Sequence, residues 1–168
     1  SEQLARPPVR LGLVLTLLIV AGHFMAYTFV TPLLLGIPGI AAEWVGGLLF
    51  VYGTAGIAGN FLAGRLVAQR TQFTLAMIAV ALIIAILGFV APGETAVHGA
   101  ILLVLWGVAY GGVSVSLQTW MMKAAPSAIE IVTAVFVSVF NIGIATGSFI
   151  GGQIVDNFDF HTNLLLAA

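Results

Sequence analysis

The chain carries five apolar stretches long enough to cross a bilayer, at about 11–35, 44–67, 73–91, 97–122 and 129–155. A spanning helix needs about 20 predominantly apolar residues. In hydrocarbon each backbone polar group must find its partner inside the protein, which a helix achieves within one segment. The expected fold class is therefore an all-α membrane protein. Composition agrees, since 7% of the 168 residues are charged and 61% are hydrophobic, where soluble domains carry about 25% charged residues. The first stretch, with Arg6 and Arg10 ahead of it, has the look of a signal peptide. Its apolar run is too long for that role, and four more stretches follow.

Lys and Arg set the orientation. Arg6 and Arg10 precede the first stretch, Arg65 and Arg70 flank the second connection, and Lys123 lies in the fourth. These are all five of the basic residues. The first and third connections hold Glu43, Glu94 and His98, and the segment after the fifth stretch holds Asp156 and Asp159. The positive-inside rule then places the N-terminus and the even-numbered connections in the cytoplasm. Residues 1–10 form a cytoplasmic linker, and the fifth stretch ends outside. Glu2 and Glu130 fall on the basic side, but acidic residues count little in that rule.

Several functions lose support at this point. A net charge of −1 offers no electrostatic footprint for nucleic acid. The chain has no cysteine, no His-Glu-x-x-His and no pair of carboxylates within the stretches, so a thiol, zinc or acid–base enzyme is not expected. Neither a metal nor a cofactor is implied. The glycine run Gly53-Thr-Ala-Gly56-Ile-Ala-Gly59 lies inside an apolar stretch rather than between strand and helix, so it is not a nucleotide loop.

The sequence repeats itself. Gly56-Ile-Ala-Gly59-Asn60-Phe61-Leu62-Ala63-Gly64 in the second stretch matches Gly143-Ile-Ala-Thr-Gly147-Ser148-Phe149-Ile150-Gly151-Gly152 in the fifth, about 88 positions on, with one insertion. Ala26-Tyr27 and Ala109-Tyr110 suggest a weaker match between the first and fourth. A repeat of three spans inverts its second copy, and inverted repeats are a mark of secondary transporters. The partner of the third stretch should begin near His161, so residues 161–168 read as the start of a truncated sixth helix.

Polar side chains in hydrocarbon are costly and normally face the bundle interior or a wet cavity. His23, Tyr27 and Thr31 form one helical stripe, and Trp106, Tyr110, Ser114 and Gln118 form another. Tyr52 adds to them from the second stretch, and Ser138 and Asn141 from the fifth. These ten are the candidate cavity residues. Gly143, Gly147 and Gly151 occupy the other side of the fifth stretch, a small-residue surface for close helix packing. His23 is the only titratable group near mid-span, a candidate for substrate binding or proton coupling, against the plainer reading of a neutral hydrogen-bonded ring. Trp44 and Trp120 suit the interfacial belt.

His23-Phe-Met-Ala-Tyr27-Thr-Phe-Val-Thr-Pro32, Gly59-Asn60-Phe-Leu-Ala-Gly64-Arg65, Leu105-Trp106-Gly107 with Gln118-Thr-Trp120, and Phe140-Asn141-Ile-Gly143 occur in an order and spacing that resembles a known family. The chain looks like the C-terminal half of a major facilitator superfamily transporter, in the bacterial drug:proton antiporter branch with sugar and purine-ribonucleoside efflux permeases. The resemblance implies one six-helix half with inverted three-helix repeats, in which the third helix of each repeat lies outside the cavity. It implies a bacterial inner membrane, a missing N-terminal half as partner, and protons driving export of a small organic solute. The loop Gly64-Arg65-Leu66-Val67-Ala68-Gln69 up to Arg70 stands where the family's conformational loop would be, with Ala68 in place of its Asp. The neutral stripes favour a sugar, nucleoside or hydrophobic drug. The alternative is a structural or assembly subunit that pairs with another half-transporter chain.

Overall fold

The computed structural model describes residues 2–91 and 95–168; Glu94, assigned above to the outer side, lies outside the described residues. A 3-10 turn, Glu2–Ala5, leads into α1 (Pro7–Tyr27), α2 (Val30–Leu35), α3 (Ala42–Gly88), α4 (Ala96–Gly111), α5 (Val113–Ala124), α6 (Ile129–Asn157) and α7 (Phe160–Ala167). No strand occurs among the described residues, and the all-α membrane fold is the one expected.

Local chemistry explains where the helices start and break. Helix α1 opens ahead of its apolar stretch because Pro7 and Pro8 fill its first turn, where the missing N–H has no partner to lose. The first stretch is two helices. Pro32 has no N–H to give the Thr28 carbonyl and its ring crowds that oxygen, and the chain breaks at Thr28–Phe29.

The second and third stretches form a single 47-residue helix in hydrogen-bonding terms, with non-helical φ −133° and ψ 61° at Arg70. Straight, it would run about 70 Å, more than twice a hydrocarbon core of about 30 Å. It folds back instead. Tyr52 and Phe89, near its two ends, both lie beside the Trp106 ring, at 6.1 and 6.0 Å between centroids. Ala63 and Ile78, on either side of Arg70, both meet Gly112. Helix α3 therefore supplies two spans.

Helices α4 and α5 together make one span, Ala96–Ala124, and α6 makes the next. Helix α7 starts a sixth, capped by the Asp159 carboxylate, which accepts the Thr162 N–H at 2.6 Å. That bond holds the Asp159 carboxyl below its ordinary pKa. Asn163 Nδ2 donates to the Met25 carbonyl at 2.7 Å and ties α7 to α1.

The glycine faces decide which helices touch. Gly143, Gly147 and Gly151 of α6 lie against Val20, Ala21 and Met25 of α1. Gly56 and Gly59 of α3 lie against Gly111 and Val108 of α4. The second span thus packs on the fourth, and the fifth on the first, as an inverted repeat requires. The offset that takes Gly56 to Gly143 also takes Val20 to Gly107, Ala21 to Val108 and His23 to Tyr110. Packing therefore corrects the weaker sequence match by one helical turn: Tyr110 corresponds to His23, not to Tyr27. Aromatic letters aligned the wrong pair, whereas backbone contact fixes the register.

The third span, the part of α3 after Arg70, buries Leu75, Ile78, Leu82 and Ile86 and exposes Met77, Val80, Ile83, Ile84 and Leu87. An exposed face of that composition suits lipid.

A Cβ placed on Gly147 would fall 2.8 Å from the Ala21 Cα, and one on Gly59 2.9 Å from the Val108 Cα, whereas one on Gly53 meets nothing within 4 Å. We expect Gly147→Ala and Gly59→Ala each to destabilise the bundle by about 1–3 kcal/mol through overpacking. Gly53→Ala should be neutral or slightly stabilising. Unfolding midpoints in detergent micelles measure the difference.

Candidate functional site

Five of the ten candidate cavity residues come together. His23 and Tyr27 of α1, Tyr52 of α3, and Trp106 and Tyr110 of α4 form one aromatic cluster. Its centre is His23, stacked on Tyr110 with ring centroids 3.3 Å apart and planes 7° apart. Because His23 and Tyr110 are equivalent positions of the two repeats, their contact marks where the pseudo-twofold axis crosses the bundle. Tyr27 stacks on Tyr52 at 4.9 Å, and Trp106 meets both edge-on at 5.9 and 6.1 Å.

The cluster is more closed than a cavity lining. Trp106 is fully buried and His23 is 2% exposed, while Tyr27 and Tyr110 are half-buried. Trp106 Nε1 donates to His23 Nδ1 at 3.0 Å. An indole N–H can only donate, so Nδ1 must carry a lone pair; the ring is neutral and keeps its proton on Nε2. In this geometry His23 is the acceptor that holds Trp106 in place. Tyr52 is 8% exposed, and its hydroxyl has no hydrogen-bond partner among the described residues. A buried unpaired hydroxyl costs about 1–3 kcal/mol, and among the described residues it is the cluster's one fully buried side-chain polar atom without a partner.

The other five candidates lie outside the cluster. Ser138 and Asn141 are exposed and donate to the Ala134 and Val137 carbonyls of their own helix, at 3.0 and 2.8 Å. Thr31 and Ser114 are exposed, and Gln118 is half-buried. Sequence reasoning passed over Phe24 and Phe89, which pack on His23 and Trp106. It also passed over the 2.8 Å hydrogen bond shared by Thr28 Oγ1 and Ser148 Oγ, between α1 and α6. Phenylalanine carries no polar signal to separate a cluster member from a lipid-facing residue.

A second constellation sits at the basic end. Lys123 Nζ donates to the Val67 and Ala68 carbonyls at 3.2 and 2.7 Å and to Thr71 Oγ1 at 2.8 Å. Those carbonyls lie in the turn before Arg70, where the negative end of the helix dipole favours a cation. Lys123 thus fastens the end of the fourth span to the connection between second and third, the segment of Gly64, Arg65 and Arg70. Trp120 Nε1 donates to the Pro8 carbonyl at 2.8 Å and joins the start of the first span to the same end. Among the described residues no group of three or more His, Cys, Asp or Glu is placed to hold a metal.

Crossed packing of spans related by an inverted repeat, around an aromatic axis, defines a multi-pass bundle of the secondary-transporter kind. Residues 1–148 match the model of the Major Facilitator Superfamily, and the chain belongs to that family of membrane transporters.

Replacing Trp106 by Phe should leave His23 Nδ1 unpaired and cost about 1–3 kcal/mol. Replacing both partners, His23→Leu with Trp106→Phe, should recover part of that loss. A double-mutant cycle on unfolding in micelles reads the coupling, and additive single effects would show that the bond contributes nothing.

Proposed function

We propose that the chain is the C-terminal half of a proton-coupled secondary transporter that exports a small organic solute by alternating access. The bundle rocks against an N-terminal half around a central cavity, in a bacterial inner membrane with the N-terminus cytoplasmic. The observation that carries this reading is the aromatic cluster on the pseudo-twofold axis, with the Tyr52 hydroxyl unpaired within it. Transporters place their substrate near the midplane at the interface between repeats. Tyr27, Tyr52 and Tyr110 supply flat apolar faces and hydroxyl groups there, which suits a sugar, a nucleoside or a hydrophobic drug.

His23 acts through Trp106 in this scheme. A second proton on the ring would occupy Nδ1 and displace the Trp106 N–H, so protonation and the position of the indole are linked. No Asp or Glu lies in the middle of a span, and the carboxylates that would carry the driving protons belong to the partner half. The assembly-subunit reading has no observation of its own that favours it.

In everted vesicles containing the complete protein, a panel of sugars, nucleosides and hydrophobic drugs should include at least one accumulated solute, and a protonophore should abolish its uptake. Uptake that survives collapse of the proton gradient would rule out proton coupling. Tyr52→Phe should raise the KM for that solute about tenfold, the worth of one hydrogen bond, without lowering the unfolding midpoint. An unchanged KM removes Tyr52 from the site.

A further inference from the structure

We propose that the basic end of the bundle binds an anionic phospholipid, its phosphate seated among Arg6, Arg70 and Lys123 and an acyl chain laid along the third span. A groove of about 600 Å³ opens where the start of α1, the bend of α3 and the end of α5 converge. Those three cations line it, and no Asp or Glu does among the described residues; Glu2 and Glu130 lie off it. Lys123 has committed its donors to Val67, Ala68 and Thr71, so it contributes charge rather than new hydrogen bonds. The two guanidinium groups supply the donors. The one hydrogen bond of the Arg6 guanidinium among the described residues is a 3.4 Å contact to Gln3 Oε1. Each guanidinium presents a planar fork that matches phosphate oxygens.

Two further observations select a lipid over a free anion. The Trp120 indole forms one wall of the groove, and tryptophan marks headgroup depth at a membrane interface. Phe73 lines the groove and also the head of an apolar furrow of about 390 Å³, which continues past Met77, Val80, Ile84 and Leu105. From Phe73 to Ile84 a helix rises about 16 Å, room for most of one acyl chain. A cationic seat that opens into an apolar furrow on the lipid-exposed face has the shape of one amphiphile. With no carboxylate in the seat to meet an ammonium headgroup, zwitterionic lipids gain less from it. The inference rests on the membrane fold and not on the transport reading.

Native mass spectrometry of the complete protein, released from nanodiscs of equimolar phosphatidylglycerol and phosphatidylcholine, tests this. Wild type should retain phosphatidylglycerol preferentially. Arg6→Gln with Arg70→Gln should cut that preference about 25-fold, at roughly fivefold per cation near a membrane surface. Arg10→Gln, off the groove, should leave most of it. Val80→Trp, which fills the furrow, should weaken retention while the charges stay in place. Unfolding midpoints confirm that each variant is folded. Equal retention of the two lipids by wild type, or an unchanged preference in the double Arg variant, overturns the proposal. So does displacement of the lipid by millimolar inorganic phosphate, which would identify a free-anion site.

Discussion

The bundle depends on backbones approaching one another at small residues. In a bilayer, an apolar side chain gains little by leaving lipid for protein, so helices associate through close van der Waals contact and polar contacts between them. Here that contact is made along two helix pairs, with Gly59 on Val108 in one and Gly147 on Ala21 in the other. Each contact joins a helix of one repeat to a helix of the other, so the two repeats interlock instead of lying side by side. The ring stack of His23 on Tyr110 follows from it. Two positions related by the repeat come face to face because the glycine contacts on either side draw α1 and α4 together.

Polar groups then fill the places that packing leaves. Thr16 and Thr74, both buried, bond back to the Gly12 and Arg70 carbonyls of their own helices at 2.7 and 2.9 Å, the local solution open to threonine in a helix. Long-range polar bonds are fewer and join separate helices, among them Trp106 to His23, Asn163 to Met25 and Thr28 with Ser148. Tyr52, Ser116 and Asn163 each retain one buried atom without a partner. Of these only Tyr52 belongs to the aromatic cluster.

Hydropathy and basic charge were legible in the sequence because both are local properties. The spans and the one-sided placement of Arg6, Arg70 and Lys123 needed no knowledge of tertiary contact. The glycine repeat was legible for the same reason, as backbone proximity tolerates few residue types. Register was not: Ala26-Tyr27 and Ala109-Tyr110 match in letters, but spacing along one helix says nothing about which turn of another it meets. Helical spacing gathered His23, Tyr27, Trp106 and Tyr110 onto stripes whose rings meet in the structure. It also gathered Ser138 and Asn141, since a stripe cannot distinguish a side chain that reaches across from one that bonds to its own helix. The Lys123 contact was invisible, because its acceptors are main-chain carbonyls whose availability depends on the bend at Arg70.

That contact has a mechanical consequence. A hairpin between two spans would ordinarily be the softest part of a bundle, free to flex as the helices tilt. By closing the ammonium of Lys123 onto both sides of the bend, the chain stiffens that corner into a strut. Force applied at the end of the fourth span is then transmitted directly to the second and third, without being absorbed in the loop. The compliant points are left at Thr28–Phe29 and Gly112, where the helices are already interrupted, so deformation of this bundle would concentrate toward its middle and its acidic end.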